Sequence, residues 1–297
     1  MYQTHFGIRE LPFSITPDTG FFFAGSSYQE ALNTLLIATK NGEGFIKITG
    51  EVGTGKTMLC RKFLTTLDKG FVTAYIPNPY LEPRTLMLAL ADELEIPLEK
   101  DVDQHHLLKS INHRLLALAR EGKRVVLCLD EAQAMPLESL EALRLLSNLE
   151  TEKRKLLQIV LFGQPELDKK LQMDSLRQLA QRITFHYNLR QLSRDDLEFY
   201  IAHRLSVAGF GGSRLFSRGA LSKLFAASGG VPRLINILAH KSLMLTYGEG
   251  KYQVLSRHVK GAAADTIAAK RGFRDIWWLL LLVSIVVIAG MGWLFSR

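Results

Sequence analysis

Two hydrophobic rhythms alternate between Gly44 and Leu189. Five short runs are almost continuously apolar, β-branched or aromatic: "GFIKIT" (44–49), "FVTAYIP" (71–77), "RVVLCLD" (124–130), "LLQIVLFGQ" (156–164) and "RITFHYNL" (182–189). Segments of helical period, such as "HHLLKSINHRLLALARE", separate them. Apolar strands between amphipathic helices predict a parallel sheet covered by helices on both faces. From Ser193 the strand pattern stops. "SRDDLEFYIAHRLSVAG", "SRGALSKLFAASGG", "VPRLINILAHKSLMLTYGEG" and "SRHVKGAAADTIAAK" read as four helices, opened by Ser or by Pro at the first turn. An aromatic lead, "FGIRELPFSITPDTGFFF", and a helix around "YQEALNTLLIATK" precede the first strand. The expected organisation is therefore an α/β domain over residues 1–190 and a small helical domain over 191–270.

A third rhythm closes the chain. Residues 276–295 carry no charge, and as a helix they would reach about 30 Å, the thickness of a bilayer's hydrocarbon core. Trp277, Trp278 and Trp293 stand near the two edges of the stretch, where interfacial aromatics belong. One C-terminal transmembrane helix is expected. Lys270, Arg271 and Arg274 flank its N-terminal side and only Arg297 follows it, so the positive-inside bias places residues 1–275 in the cytoplasm. No apolar signal region lies near Met1, so export of the N-terminal part is not expected. The expected location is a bacterial inner membrane, crossed once. Cys60 in a helix and Cys128 in an apolar strand have no metal-binding spacing and read as small buried hydrophobes. The net charge of +8 suits anionic headgroups as well as nucleic acid, since Lys251, Arg257 and Lys260 lead into the flanking cluster.

The candidate chemistry lies in the α/β part. "GEVGTGKT" follows the first strand and opens a helix, which is the context that the phosphate-binding pattern G-x-x-x-x-G-K-[ST] requires. Gly50, Glu51, Val52, Gly53, Thr54 and Gly55 would cradle phosphates with backbone N–H groups, continued by Lys56, Thr57 and Met58 on the helix. Lys56 would pair with β- and γ-phosphate oxygens and Thr57 would ligate Mg²⁺. "VVLCLDEAQ" ends the third strand with Asp130, a second Mg²⁺ ligand, and Glu131, a base that can polarise water. The adjacent carboxylates argue for hydrolysis of ATP as well as binding.

These motifs resemble Walker A (Gly50–Thr57) and Walker B (Val125–Glu131) of the AAA+ ATPases, and the resemblance runs to about residue 270. It implies three further roles. Gln164, ending the fourth strand, stands where the family places a polar sensor that is often Asn. Arg182, before the last strand, stands where an arginine finger reaches a neighbour's nucleotide, with Arg177 as its rival. Arg233, in "GGVPRLIN", stands where a lid helix carries a second sensor, which makes the helical domain a lid.

Within that superfamily, Phe6-Gly7, Pro12-Phe13, Pro17-Asp18 and Phe21 to Phe23 resemble the opening of the general secretion pathway protein A (ExeA-type) ATPases. The shorter, MSHA pilus biogenesis (MshM-like) branch is the nearest, because no wall-binding segment follows residue 295. The resemblance implies an oligomeric, membrane-anchored ATPase that uses ATP and Mg²⁺ to assist assembly of a type IV pilus or type II secretion machinery. Two other readings stand beside it: a nucleotide-dependent scaffold with little turnover, and a DNA-binding relative. Against the latter, no helix-turn-helix pattern follows the lid, and nucleic acid is not the expected partner.

Overall fold

In a computed structural model, residues 2–99, 102–151 and 154–266 are described. No helix among them is long and apolar enough to cross a membrane, and the expected span at 276–295 lies outside the described residues. The chain divides into two compact units. One runs from Pro17 to Arg190, and the other joins residues 2–16 to residues 191–266.

The first unit holds a sheet of five parallel strands: β1 (Phe45–Thr49), β2 (Phe71–Ile76), β3 (Arg124–Leu129), β4 (Leu157–Gly163) and β5 (Ile183–Asn188). Their order across the sheet is β2-β3-β4-β1-β5. Every residue of β4 is buried, as are five of the six in β3, whereas the edge strand β5 alternates between half-buried and exposed positions. That gradient follows from geometry, because helices cover both faces of the central strands while an edge strand is flanked on one side only. One face packs Val125, Leu127 and Leu129 of β3 with Ile159 and Leu161 of β4 against Leu86 and Leu90 of helix Pro83–Glu93 and Leu107, Ile111 and Leu115 of helix Gln104–Arg120. These helical positions repeat every four residues, which puts them on one stripe. Helices Ser26–Asn41 and Lys56–Thr66 pack with β1, β4 and β5.

Parallel register aligns the C-terminal ends of the strands that matter. Thr49 of β1 pairs with Gly163 of β4 and Asn188 of β5, and Leu129 of β3 pairs with Leu161. The loops leaving β1, β3 and β4 therefore emerge along one edge of the sheet, the usual place for ligands in open α/β folds.

The second unit contains helices Arg194–Val207, Arg218–Ser228, Pro232–Gly248 and Ser256–Ala264. Ser193 and Asp196 close a capping box at the start of the first, and Ser217 caps the second. The first part of the aromatic lead, residues 2–16, belongs to this unit, whereas residues 17–23 belong to the α/β unit with the rest of the segment expected over 1–190. Phe13 is buried edge-on against Phe216, with ring centroids 5.9 Å apart. Tyr2 meets His240 through a 2.8 Å hydrogen bond. Arg204, buried in helix Arg194–Val207, donates to the Pro12 carbonyl and to the Tyr200 hydroxyl. Tyr200 in turn donates to Asn236, whose amide donates to the Ser14 carbonyl. The lead's backbone carbonyls thus satisfy polar groups that would be costly to bury alone.

Candidate nucleotide site

The glycine-rich loop leaves β1 and is shaped by residues that admit no side chain. Gly53 and Gly55 sit at φ 81° and 94°, in the left-handed region. A Cβ on Gly55 would lie 2.4 Å from the Tyr28 hydroxyl, and one on Gly50 would lie 2.9 Å from the Leu189 carbonyl oxygen. Thr54 is buried and donates to the Glu51 carbonyl at 2.8 Å. Glu51 and Val52 are exposed, whereas Gly53, Thr57 and Met58 are half-buried. Lys56, 5% exposed, donates to the carbonyls of Gly50 at 2.8 Å and Glu51 at 3.1 Å. Burial pulls its pKa below the ordinary lysine value, opposed by the nearby carboxylates of Glu131 and Asp130.

The two proposed metal ligands meet. Thr57 Oγ1 donates to Asp130 Oδ2 at 2.6 Å, although 73 residues separate them in sequence. Asp130, 2% exposed, also accepts from the Glu131 N–H at 3.0 Å and from the Tyr75 hydroxyl at 3.4 Å. Burial raises the Asp130 pKa above the usual carboxylate value, and the bonds from Thr57 and Glu131 offset part of that rise. Tyr75, on β2, is pushed up to about 12 by burial and by the Asp130 charge. A hydroxyl and a carboxylate are hard oxygen donors that fit Mg²⁺.

Glu131 follows directly and has φ 54°, left-handed for a residue with a side chain. Its Oε2 accepts from Gln133 Nε2 at 2.5 Å and from Gln164 Nε2 at 3.0 Å. The α/β unit therefore brings Lys56, Thr57, Asp130, Glu131 and Gln164 together. It does not bring Arg182 to them. Arg182 precedes β5, at the opposite end of that strand from the loop, and its Nη1 donates to Ser147 Oγ at 2.5 Å and to the Arg144 carbonyl at 3.4 Å. Arg177 is exposed on the short helix Arg177–Ala180, and Arg233 is exposed on the first turn of helix Pro232–Gly248 in the other unit. Sequence reasoning missed Tyr28, Tyr75 and Gln133. Only Gln133 left a signal, as the last letter of the DEAQ run.

Residues 39–171 match the AAA domain family. The chain is also similar over 297 residues, at 41% identity, to general secretion pathway protein A of Aeromonas hydrophila. The match covers 99% of this chain and 53% of that protein, so the chain spans about half the relative's length. Among solved structures, Cdc6p of Pyrobaculum aerophilum superposes with a TM-score of 0.64 at 17% identity, covering 84% of this chain and 70% of that one. The Aeropyrum pernix ORC2 protein, in ADPNP-ADP complexes, gives 0.61 at 15% identity over 84% and 72%. A Walker-type ATPase of Pyrococcus abyssi gives 0.56 at 14% identity over 93% and 79%. At these identities the likeness is one of fold.

Proposed function

We propose that this chain is a Mg²⁺-dependent ATPase, anchored in a bacterial inner membrane by residues 276–295, that assists assembly of a type IV pilus or type II secretion machinery. The observation that carries the ATPase reading is the meeting of Thr57 with Asp130 at 2.6 Å beside Lys56, with Glu131 next in the chain. Mg²⁺ held by Thr57 and Asp130 would neutralise charge on the phosphates. In this reading Lys56 trades its loop carbonyls for β- and γ-phosphate oxygens, and Glu131 accepts a proton from the attacking water. Gln164 would contact the γ-phosphate, and Arg233 would report on the nucleotide from the lid. The finger arginine would come from a second copy, since Arg182 sits at the far end of β5 from its own loop; Arg177 is its exposed rival. The secretion role is supported by likeness to general secretion pathway protein A over nearly the whole chain. The pilus alternative comes from the resemblance to the general secretion pathway protein A (ExeA-type) ATPases carried by the lead, since that group includes pilus biogenesis members.

Mixed oligomers test the shared site. Arg182→Ala subunits lack the finger and Lys56→Ala subunits lack nucleotide, so mixing the two inactive variants should restore part of the phosphate release. Absence of recovery at every ratio, with recovery for an Arg177→Ala and Lys56→Ala pair, would move the finger to Arg177. Absence of recovery for both pairs would overturn the shared site. Identification of the proteins retained by the full chain in detergent-solubilised membranes tests the assembly role: secretion or pilus components support it, and their absence removes it.

A further inference from the structure

The run "DEAQ" supplies Asp130 and Glu131 to the ATPase reading but leaves Gln133 without a task. The structure gives it contacts on two sides. After β3 the chain turns through Glu131 in its left-handed conformation and enters a single 3₁₀ turn, Ala132–Ala134. That turn carries the half-buried Gln133 side chain back toward the end of β4. There its Oε1 accepts from the Gln164 backbone N–H at 2.9 Å, while its Nε2 donates to Glu131 Oε2 at 2.5 Å. The orientation of the amide is fixed by chemistry, because a backbone N–H can only donate and a carboxylate can only accept. Gln164 completes a ring with its own side-chain amide, which donates to the same Glu131 oxygen at 3.0 Å.

Among the described residues, both side-chain donors to this carboxylate converge on Oε2. A water proton must therefore go to Oε1, and the pair of amides decides where Oε1 points. Left-handed backbone at a residue with a side chain is tolerated elsewhere in this chain, at Glu95 behind helix Pro83–Glu93, so the dihedral alone indicates nothing. The distinctive feature at Glu131 is that a neighbour two residues on ties its carboxylate to the backbone of the adjacent strand end.

We propose that Gln133 is a positioning residue for hydrolysis: it fixes the Glu131 carboxylate against the end of β4 and links it to Gln164, so that one oxygen is presented to water. The inference rests on the ATPase reading. It also assigns an order of events. When a γ-phosphate draws the Gln164 amide away, Glu131 loses one of its two donors and Gln133 alone keeps the base in place. Nucleotide binding itself does not pass through Gln133, which touches none of the loop residues 50–57 by any hydrogen bond among the described residues.

The test is a double-mutant cycle on the full chain, with both turnover and ATP affinity measured. Gln133→Ala should lower kcat by about tenfold or more, as displacement of a catalytic group does, and leave the dissociation constant for ATP within about twofold of the parent. In a Glu131→Gln background the same change should cost nothing further, because the base it positions is already gone. Gln133→Glu keeps an acceptor for the Gln164 N–H but removes the donor and sets a like charge beside Glu131; it should lose at least as much turnover as the alanine variant. A Gln133→Ala protein with parental kcat, a loss that is additive with Glu131→Gln, or a loss of ATP affinity equal to the loss of turnover would each overturn the proposal. A parent protein that binds ATP without hydrolysing it would instead overturn the ATPase reading on which the proposal stands.

Discussion

At the scale of single residues, the site is held by groups that dislike their surroundings. Asp130 is buried and its pKa is raised, so the folded state binds its proton more tightly than the unfolded chain does. The stability that this residue contributes is full below the ordinary carboxylate value and is lost as pH rises through the raised one. At neutral pH its charge works against folding. Asp130→Asn should therefore raise the melting temperature of the nucleotide-free protein at pH 7.5 by about a few degrees, while removing Mg²⁺-dependent turnover. A melting temperature equal to or below the parent's would contradict the assignment of the strain to this carboxylate. Tyr28 acts on the loop from outside. Its hydroxyl donates to the Thr54 carbonyl, and because a peptide unit is planar and trans, the Gly55 N–H is turned the opposite way. Removing that one bond with Tyr28→Phe should weaken ATP binding about five- to tenfold, the worth of a single hydrogen bond, with the melting temperature little changed. Equal affinity for ATP in titrations of the two proteins would remove Tyr28 from the account.

At the scale of elements, the five strands and the four helices after Ser193 were legible because each carries its own signal. A buried central strand must be largely apolar on both faces, and β4 is from Leu157 to Gly163 except at Gln158, whose amide bonds the Thr39 and Glu43 carbonyls. Leu161→Ala in its middle should cost about 2–5 kcal/mol, the range for emptying a closed core site, read as a shift in the denaturation midpoint. The start of helix Arg194–Val207 was equally readable, since Ser193 and Asp196 are spaced for a capping box. Ser193→Ala should cost about 1 kcal/mol; a change below the error of the measurement would show that the box adds nothing. The home of the lead was not legible. Its aromatic residues announce burial, but that residues 2–16 go to the helical unit depends on Arg204 and Asn236, which reach Pro12 and Ser14 across some 190 to 220 residues. No local pattern encodes such a choice. Likewise the letters Asp130, Glu131 and Gln164 could be placed at strand ends, whereas the bridge through Gln133 needed the register of β3 on β4.

At the scale of the whole chain, a segment similar to AAA domains is proposed to sit at a membrane. If residues 276–295 form the anchor, a chain ending before Asp275 should leave the membrane fraction and still bind ATP, with turnover reduced where the membrane had concentrated the subunits. A truncated chain that aggregates or no longer binds nucleotide would show that the stretch packs against the rest. A tag after Arg297 should be reachable only from the far side of the membrane and one before Met1 only from the cytoplasm; cytoplasmic access to both would refute a single span. The central claim, that the residues gathered at the ends of β1, β3 and β4 hydrolyse ATP, is tested most directly by ATP binding and single-turnover hydrolysis in the parent and in Glu131→Gln. The account predicts that both bind ATP with Mg²⁺ to the same extent and that only the parent converts it to ADP and phosphate at an appreciable rate. Equal conversion by the two proteins would contradict it.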